Sequence, residues 1–316
     1  MIRSGSISIA VVAAFALVAI GSFFGINNIN IDNKAVTLVP TIIPTSTLVP
    51  TPFNSPTPTE KPPTPLPTKV PVPTLLLHKG PPSSGLSTIN VSTEKGVFTA
   101  TVLSLDLGSV RVITDTANDN DCATNCQVAS LAAFVSKNGG FAGVNGSYFC
   151  PASYPDCSSK TNSFDFPVYN TRLGHWINSD KLSWSERRAI FYIDGSGAHY
   201  QNNSAGFSGG LNAGIINYPG LVDGGNVQID ENQSGLSDKQ KSVGTKVGIG
   251  LRDSSHVMVL IAKNVNMHQF AYVFKALGAT GALNLDTGGS TALINSGRYV
   301  YGPGRDLPNA IIFASK

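Results

Sequence analysis

The spacing of apolar residues predicts two helices. The clearer one has an apolar face that recurs every 3.6 residues, formed by Met267, Phe270, Ala271, Phe274 and Leu277. Asn266 and Gln269 are placed for a capping box at its start, and Gly278 for its C-terminal stop. The other helix is predicted from Val128, Leu131, Ala132 and Val135, which share one face and are followed by Gly139-Gly140.

Elsewhere the pattern favours strands. Loose alternation and many β-branched residues predict strands at Val97 to Leu105, Arg111 to Thr114, Ala189 to Ile193 and His256 to Ala262. From residue 87 to residue 316 there is no low-complexity break, internal repeat or charge block. We therefore expect one α+β domain over 87–316, with a mixed β-sheet and few helices.

The N-terminal part has a different character. Ile7 to Ile26 is an uncharged apolar run long enough to span a bilayer, and Arg3 precedes it. This indicates a signal anchor or a cleaved signal peptide within residues 1–30, and an anchor is favoured because Ala-x-Ala spacing occurs only inside the run. The expected location is the cell surface, with the domain anchored to the membrane by its N-terminus or secreted.

A proline-rich segment follows. Residues 31–86 contain 14 of the chain's 20 prolines, with many threonines, and such a composition cannot pack a core. We expect a disordered stalk there. A plain spacer is the simplest interpretation, and a docking site for proline-recognising modules or an O-glycosylated stalk are alternatives.

Four cysteines lie beyond the export segment, within 36 residues of one another: Cys122, Cys126, Cys150 and Cys157. Outside the cytoplasm they are expected to form disulfides, for which three pairings exist. We prefer Cys122 with Cys126 and Cys150 with Cys157. A four-thiolate zinc site is the alternative, although gaps of three and six residues fit it less well than Cys-x2-Cys pairs.

Polar groups stand at the ends of several apolar runs. Asp286 interrupts a predicted buried strand, and Gly288 and Gly289 let the following backbone turn so that its N–H groups, with Ser290 and Thr291, can face an anion. Asn145-Gly146 follows the apolar run Phe141 to Val144. Taken singly, these segments also fit ordinary turns, with Tyr148 in the core.

A third site lies at Gly244 to Gly250, where Lys246 could supply a fixed positive charge or lie on the surface. The net charge of +3 implies no polyanion partner, so we expect no nucleic-acid binding.

Together these sites resemble the phosphodiester glycosidase family. Asn145 to Phe149 is similar to the family's Asn-Gly-Gly-Phe-Phe turn, Lys246 to Gly250 to its Arg-Thr-Ala-Ile-Gly strand, and Leu283 to Ser290 to its Leu-Asn-Leu-Asp-Gly-Gly-Gly-Ser loop. Pro219 to Gly224 also resembles a segment that lies between the first two motifs. The order and spacing agree from about Phe141 to Phe313.

The sequence departs from the family at four positions. Ser147, Tyr148 and Thr287 replace two glycines and a phenylalanine, and Lys246 stands where the family has arginine. A lysine keeps the charge but cannot make the planar two-point contact with a phosphate. Arg252, Arg172 or Arg188 could compensate.

The resemblance implies an extracytoplasmic hydrolase that cleaves a sugar-1-phosphodiester to free sugar and phosphomonoester, with a phosphodiester-linked glycan as partner. It assigns Asp286 as the catalytic carboxylate, Lys246 with Gly288, Gly289, Ser290 and Thr291 as the phosphate cradle, and Asn145 as the residue that orients the sugar. Gly146, Tyr148 and Asp223 are further candidates for substrate contact, and Asp223 is also a candidate second carboxylate.

Alternatives stay open. No cofactor or metal is expected, although Asp286 could instead bind a divalent cation. The rival function is a non-catalytic surface module that binds phosphorylated glycan or cell-wall polymer, and a purely structural envelope protein is a third possibility.

Overall fold

The computed structural model describes residues 77–78, 82–164, 166–181, 188–205 and 207–316. They belong to one compact unit, Val70–Lys316. The predicted anchor, and the stalk except for a few residues at its end, lie outside the described residues. Within the described ranges no helix is long and apolar enough to span a bilayer.

The described part is mostly β-sheet, and its strands are numbered in chain order. The largest sheet has eight strands, which pair in the order β1 (Leu77–His78), β2 (Gly85–Thr93), β3 (Gly96–Asp106), β14 (His256–Val265), β13 (Gly244–Asp253), β15 (Gly281–Asn284), β11 (Gly220–Asp223) and β12 (Asn226–Val227). Neighbouring strands are antiparallel except β1 and β2, which are parallel. The described strand pairing therefore includes Leu77–His78, which lie inside the segment assigned to the stalk.

Two five-stranded antiparallel sheets complete the architecture of the described residues. One pairs in the order β7 (His175–Ile177), β6 (Val168–Asn170), β10 (Ala213–Asn217), β8 (Ala189–Asp194) and β9 (Gly197–Gln201). The other pairs in the order β17 (Arg298–Tyr301), β16 (Leu293–Asn295), β5 (Ala142–Asn145), β18 (Asn309–Ser315) and β4 (Val110–Thr116). All four predicted strands are confirmed.

The described helices are few: α1 (Leu131–Lys137), α2 (Asp238–Lys241) and α3 (Met267–Ala276), with 3-10 turns at Pro155–Cys157, Ser179–Lys181 and Gly288–Ser290. For α3 the prediction is confirmed in detail. The side chains of Asn266 and Gln269 accept from each other's backbone N–H at 2.8 and 2.9 Å. Gly278 ends the helix at a φ of 83°.

The buried face of helix α1 differs from the predicted one. It begins at Leu131 because the hydroxyl of Ser130 caps it by accepting from the Ala133 N–H at 3.2 Å. Val128 therefore lies before the helix, and Ala132 is exposed. The buried face consists of Leu131, Phe134 and Val135.

The core lies on both faces of the largest sheet. Val247, Ile249 and Leu251 of β13 join one apolar cluster with residues of the other two sheets, and α3 packs against the opposite face. Gly248 and Gly250 lie on that opposite face, where an added Cβ would come within 3.0 Å of the Phe274 ring. The glycines of this motif thus allow α3 to approach the strand.

The four cysteines form the preferred disulfides, Cys122–Cys126 and Cys150–Cys157. All four thiols are therefore consumed, which excludes the four-thiolate zinc site. The second disulfide closes a short loop that begins just after Tyr148 and contains Tyr154.

Candidate active site

Asp286 lies where the chain crosses between two sheets. Strand β15 ends at Asn284 in the eight-stranded sheet, and β16 begins at Leu293 beside β5 in another sheet. The segment between them contains the Gly288–Ser290 turn. The sequence predicts both the apolar run before Asp286 and the strand after it. These two strands belong to different sheets, so the Asp286 carboxyl lies where the chain passes from one sheet to the other.

Two hydrogen bonds attach this crossover to the turn after β5. The Asp286 N–H donates to the Gly146 carbonyl at 2.9 Å, and the Asn145 side-chain amide donates to the Asp286 carbonyl at 2.7 Å. The side-chain oxygen of Asn145 accepts from the Ala292 N–H at 3.0 Å. Asn145 is fully buried, so its amide binds backbone and is not free to orient a sugar.

Gly146 also has a structural role, because it packs against Asn309. A Cβ at this position would lie 1.9 Å from the side-chain oxygen of Asn309. The same oxygen accepts from the Ser147 N–H at 2.8 Å. Glycine is therefore required here by the packing of Asn309 at the start of β18.

A cleft of about 480 Å³ opens over Asp286. Its walls come from four parts of the chain, and its lining residues are Tyr148, Phe149, Pro151, Tyr154, Phe166, Ser237, Lys239, Gln240, Ser242, Asp286, Thr287, Gly288, Gly289, Ser290 and Arg305. Of the predicted site residues, Asp286, Tyr148, Gly288, Gly289 and Ser290 thus meet in one place. Asp286 is the one carboxylate in this lining, which consists of described residues.

The Asp286 side chain is 9% exposed, at the base of the cleft. Burial raises the pKa of its carboxyl to about 7, against the opposing effects of a Ser290 hydrogen bond, the Arg305 charge and the Thr287 N–H. A carboxyl with this pKa exchanges protons near neutral pH. It is suited to acid and base catalysis.

The Tyr148 hydroxyl lies beside this carboxyl. It accepts from the Asn284 side-chain amide at 2.7 Å, and burial together with the Asp286 charge raises the pKa of Tyr148 to about 12. The phenol is therefore neutral at physiological pH and serves as a hydrogen-bonding group. Asn284 is fully buried, and its side-chain oxygen has no hydrogen-bond partner.

The positive charges of the cleft are Lys239 and Arg305, neither of which was predicted. Lys239 lies on α2, and Arg305 lies in the loop between β17 and β18, where its N–H donates to the Gly289 carbonyl at 3.1 Å. A Cβ on Gly289 would lie 2.4 Å from a terminal guanidinium nitrogen of Arg305. In the sequence, the one indication for Arg305 is its position after a Gly-Pro-Gly turn, which by itself is weak evidence for a functional residue.

The arginines proposed to compensate for Lys246 lie elsewhere. Arg172 pairs with Asp119, and Arg252 contacts Asp253 at 3.4 Å. The Arg188 guanidinium lies 5.2 Å from the ring centre of Phe166, a residue of the cleft wall, but Arg188 itself does not line the cleft. Arg305 is the arginine that does.

Lys246 has a different position from the one expected. Its side chain is 2% exposed, and its ammonium donates to the Gln240 carbonyl at 3.1 Å, near the C-terminal end of α2. Burial lowers the pKa of this lysine. Lys246 is absent from the cleft lining, so it holds the α2 segment that carries Lys239 and Gln240 rather than facing the cleft.

Asp223 is separated from the site by the strand register. It pairs with Gly281, at the other end of β15 from Asp286. Asp223 is exposed and is absent from the lining of the cleft. The structure therefore does not bring Asp223 to the cleft.

Thr291 faces a neighbouring groove with Gly288, Gly289 and Tyr299. The Thr291 hydroxyl is buried and has no hydrogen-bond partner. Among the described residues no group of three His, Cys, Asp or Glu side chains is placed to hold a metal ion. A cation at Asp286 would therefore need further ligands from substrate or water.

Comparison with known families gives a match to the model of the phosphodiester glycosidase family over residues 138–314, which is 177 of the chain's 316 residues. The chain belongs to the phosphodiester glycosidase family. The match contains Asn145, Lys246, Asp286 and both cations of the cleft. Comparison with curated proteins gives no match.

Solved structures that match the chain share little sequence with it. The zebrafish N-acetylglucosamine-1-phosphodiester alpha-N-acetylglucosaminidase catalytic domain, auto-inhibited by its pro-peptide, has a TM-score of 0.56 at 14% identity, over 76% of this chain and 87% of that one. A hypothetical protein from Synechocystis has a TM-score of 0.45 at 14% identity, over 74% of this chain and 64% of that one, which is just under two thirds. A putative exported protein from Burkholderia pseudomallei has a TM-score of 0.41 at 12% identity, over 69% and 74%.

Proposed function

We propose that this protein hydrolyses glycosyl-1-phosphodiesters, splitting the bond between the anomeric carbon and the phosphate oxygen. The observation that carries the proposal is that Asp286, with a pKa of about 7, shares one cleft with Lys239 and Arg305. One titratable carboxylate beside two cations suits a substrate with a single negative charge and an electron-poor sugar carbon. Membership of the family supports the same reaction class.

The proposed reaction needs one base. Ionised Asp286 accepts a proton from water while the water oxygen bonds to the anomeric carbon, and the carbon–oxygen bond to phosphate breaks with its electron pair on the phosphate. The products are free sugar and a phosphomonoester, and the proton returns to solvent. A phosphate leaves without strong general-acid help, and the oxocarbenium-like transition state is stabilised by a nearby carboxylate.

Phosphate binding is assigned to different residues from those expected. Arg305 and Lys239 line the cleft, so they replace Lys246 as the proposed phosphate ligands. A guanidinium can contact a phosphate at two points, which a lysine cannot. Arg305, from the loop between β17 and β18, thus takes the proposed role of the arginine that the family has at the position of Lys246.

The rest of the cleft suits a sugar. Phe149 and Phe166 provide aromatic surface, and Tyr148, Ser237 and Gln240 provide polar groups. Sugar rings have apolar faces and polar edges, so a mixed lining of this kind can bind both. The proposed partner is therefore a phosphodiester-linked glycan.

The proposed location is outside the cytoplasm. Two disulfides in the described domain are typical of secreted or extracellular proteins. The apolar run Ile7 to Ile26 is the proposed membrane anchor. Recovery of the full-length chain from detergent-extracted membranes would support anchoring, whereas a mature N-terminus beyond Ile26 in the medium would show cleavage.

The deciding experiment is turnover of N-acetylglucosamine-1-phosphodiesters and related glycosyl phosphodiesters by the expressed chain. We expect Asp286→Asn to lose at least ~100-fold in kcat, as removal of a general base does, with unchanged circular dichroism. Asp223→Asn should keep full activity, because its strand register places it away from the cleft. Chelation with EDTA in the same assay tests the alternative of a divalent cation at Asp286.

The pH profile is a second test of the same assignment. With Asp286 acting as base, kcat/KM should rise about tenfold per pH unit below pH 7 and level off above it. A falling limb at this pKa would make Asp286 the acid instead. Glycan binding without turnover of any diester would reject hydrolysis and favour the non-catalytic module.

A further inference from the structure

The ring of Tyr154 contacts both cations of the cleft. The Lys239 ammonium lies 4.4 Å from the ring centre, and the Arg305 guanidinium carbon lies 5.1 Å from it. Both distances are within the range of cation–π attraction, about 6 Å. Tyr154 itself lines the cleft and is 39% exposed.

The three side chains come from distant parts of the chain. Tyr154 lies in the loop closed by Cys150–Cys157, Lys239 lies on α2, and Arg305 lies between β17 and β18. The two cations are within roughly 10 Å of each other, about one Debye length, so salt does not fully screen their repulsion. A neutral ring with a negative face attracts both and opposes their separation.

We propose that Tyr154 is a positioning residue that holds Lys239 and Arg305 at the spacing needed to bind the substrate phosphate. The inference rests on the proposed function for its substrate and on the geometry of the three side chains for its mechanism. Tyr154 acts through the two cations, while Asp286 performs the chemistry. Its loss should therefore weaken binding and leave the chemical step intact.

The first experiment separates KM from kcat. Tyr154→Leu should raise KM about tenfold and leave kcat within twofold, because both cations lose their ring contact. Tyr154→Phe keeps the aromatic face, so its KM should stay within twofold of the wild type. An equal rise in KM for the Phe and Leu variants, or no change in the Leu variant, would overturn the proposal.

A matched control exists on α3. The ring of Tyr272 also has two lysines over it, Lys95 at 5.6 Å and Lys275 at 5.4 Å, and it does not line the cleft. Tyr272→Leu should leave KM and kcat within twofold. A rise in KM equal to that of Tyr154→Leu would show a general effect of losing such a tyrosine and would overturn the specific role.

Binding of inorganic phosphate tests the arrangement without turnover. Calorimetric titration of the full chain should give a dissociation constant about tenfold weaker for Tyr154→Leu than for wild type or Tyr154→Phe. This difference in phosphate affinity is expected even if no glycosyl phosphodiester is hydrolysed. Failure of the proposed reaction and failure of the proposed role of Tyr154 are therefore distinguishable. Equal phosphate affinity in all three proteins would overturn the proposal.

A double-mutant cycle tests whether Tyr154 acts through Lys239. In a Lys239→Met background the ring has one cation fewer to hold, so adding Tyr154→Leu should change phosphate affinity less than it does in the wild type. Strictly additive effects would mean that Tyr154 does not act through Lys239 and would overturn that part of the mechanism.

Discussion

The side-chain nitrogen of Asn145 lies 2.7 Å from the backbone carbonyl oxygen of Asp286. Together with the Asp286 N–H, which donates to Gly146, this bond attaches the crossover between two sheets to the end of β5. The Asn145 to Phe149 motif thus holds the backbone of the Leu283 to Ser290 motif. Asn145 is buried and outside the lining of the cleft, so it positions the backbone of Asp286 from behind the cleft.

Asn145→Ala should lower the free energy of unfolding by about 2–4 kcal/mol, because two buried backbone groups, the Asp286 carbonyl and the Ala292 N–H, lose their partner. Urea denaturation measures this. The exposed Asn226, altered to Ala, should cost less than ~0.5 kcal/mol. Equal costs for the two variants would contradict the supporting role.

The Asp286 carboxyl makes stability depend on pH. Its pKa rises from 3.8 to about 7 on folding, so its contribution is fully present below pH 4 and is lost as the pH rises through 7. Asp286→Asn should therefore gain stability over the wild type between pH 4 and pH 8, by ~2–4 kcal/mol at most. Thermal unfolding across this range tests it.

Gly289→Ala should raise KM for the phosphodiester several-fold. The new Cβ would lie 2.4 Å from a guanidinium nitrogen of Arg305, so the flexible side chain must move away. Gly210→Ala is the matched control, since a Cβ there meets nothing within 4 Å. If Gly289→Ala had the KM of the control, Arg305 would not be the phosphate ligand.

Lys246→Met should loosen α2. Without the ammonium, the Gln240 carbonyl loses a donor at 3.1 Å, and the segment that carries Lys239 loses its attachment to β13. Hydrogen exchange should increase over Ser237 to Ser242, measured by mass spectrometry. Lys263→Met, an exposed lysine on β14, is the control. Unchanged exchange with weaker phosphate binding would return Lys246 to direct phosphate contact.

The two disulfides should differ in their effect on activity. Replacing Cys150 and Cys157 by Ser opens the loop that carries Tyr154, so KM should rise as in Tyr154→Leu. Replacing Cys122 and Cys126 should cost a similar stability, about 2 kcal/mol from loop entropy, while KM stays unchanged. A rise in KM for both pairs would indicate general loosening of the fold.

Local signals in the sequence were sufficient for several elements. The capping box and period of α3, the four predicted strands and the two disulfides are confirmed because each depends on residues close together in the chain. The start of α1 was misjudged because the Ser130 cap outweighs the apolar period that included Val128. The anchor, and the stalk before Leu77, stay predictions.

The sequence by itself determined the family, the order of its motifs and the carboxylate at Asp286. Only the tertiary structure decided what surrounds that carboxylate. Arg305 and Lys239 line the cleft, whereas Lys246 contacts the Gln240 carbonyl and Asp223 lies outside the cleft. The physical reason is the distance along the chain over which each signal acts. Periodicity and caps act over a few residues, whereas the cleft is made by strand register and by loops far apart in the chain, whose meeting no local pattern encodes.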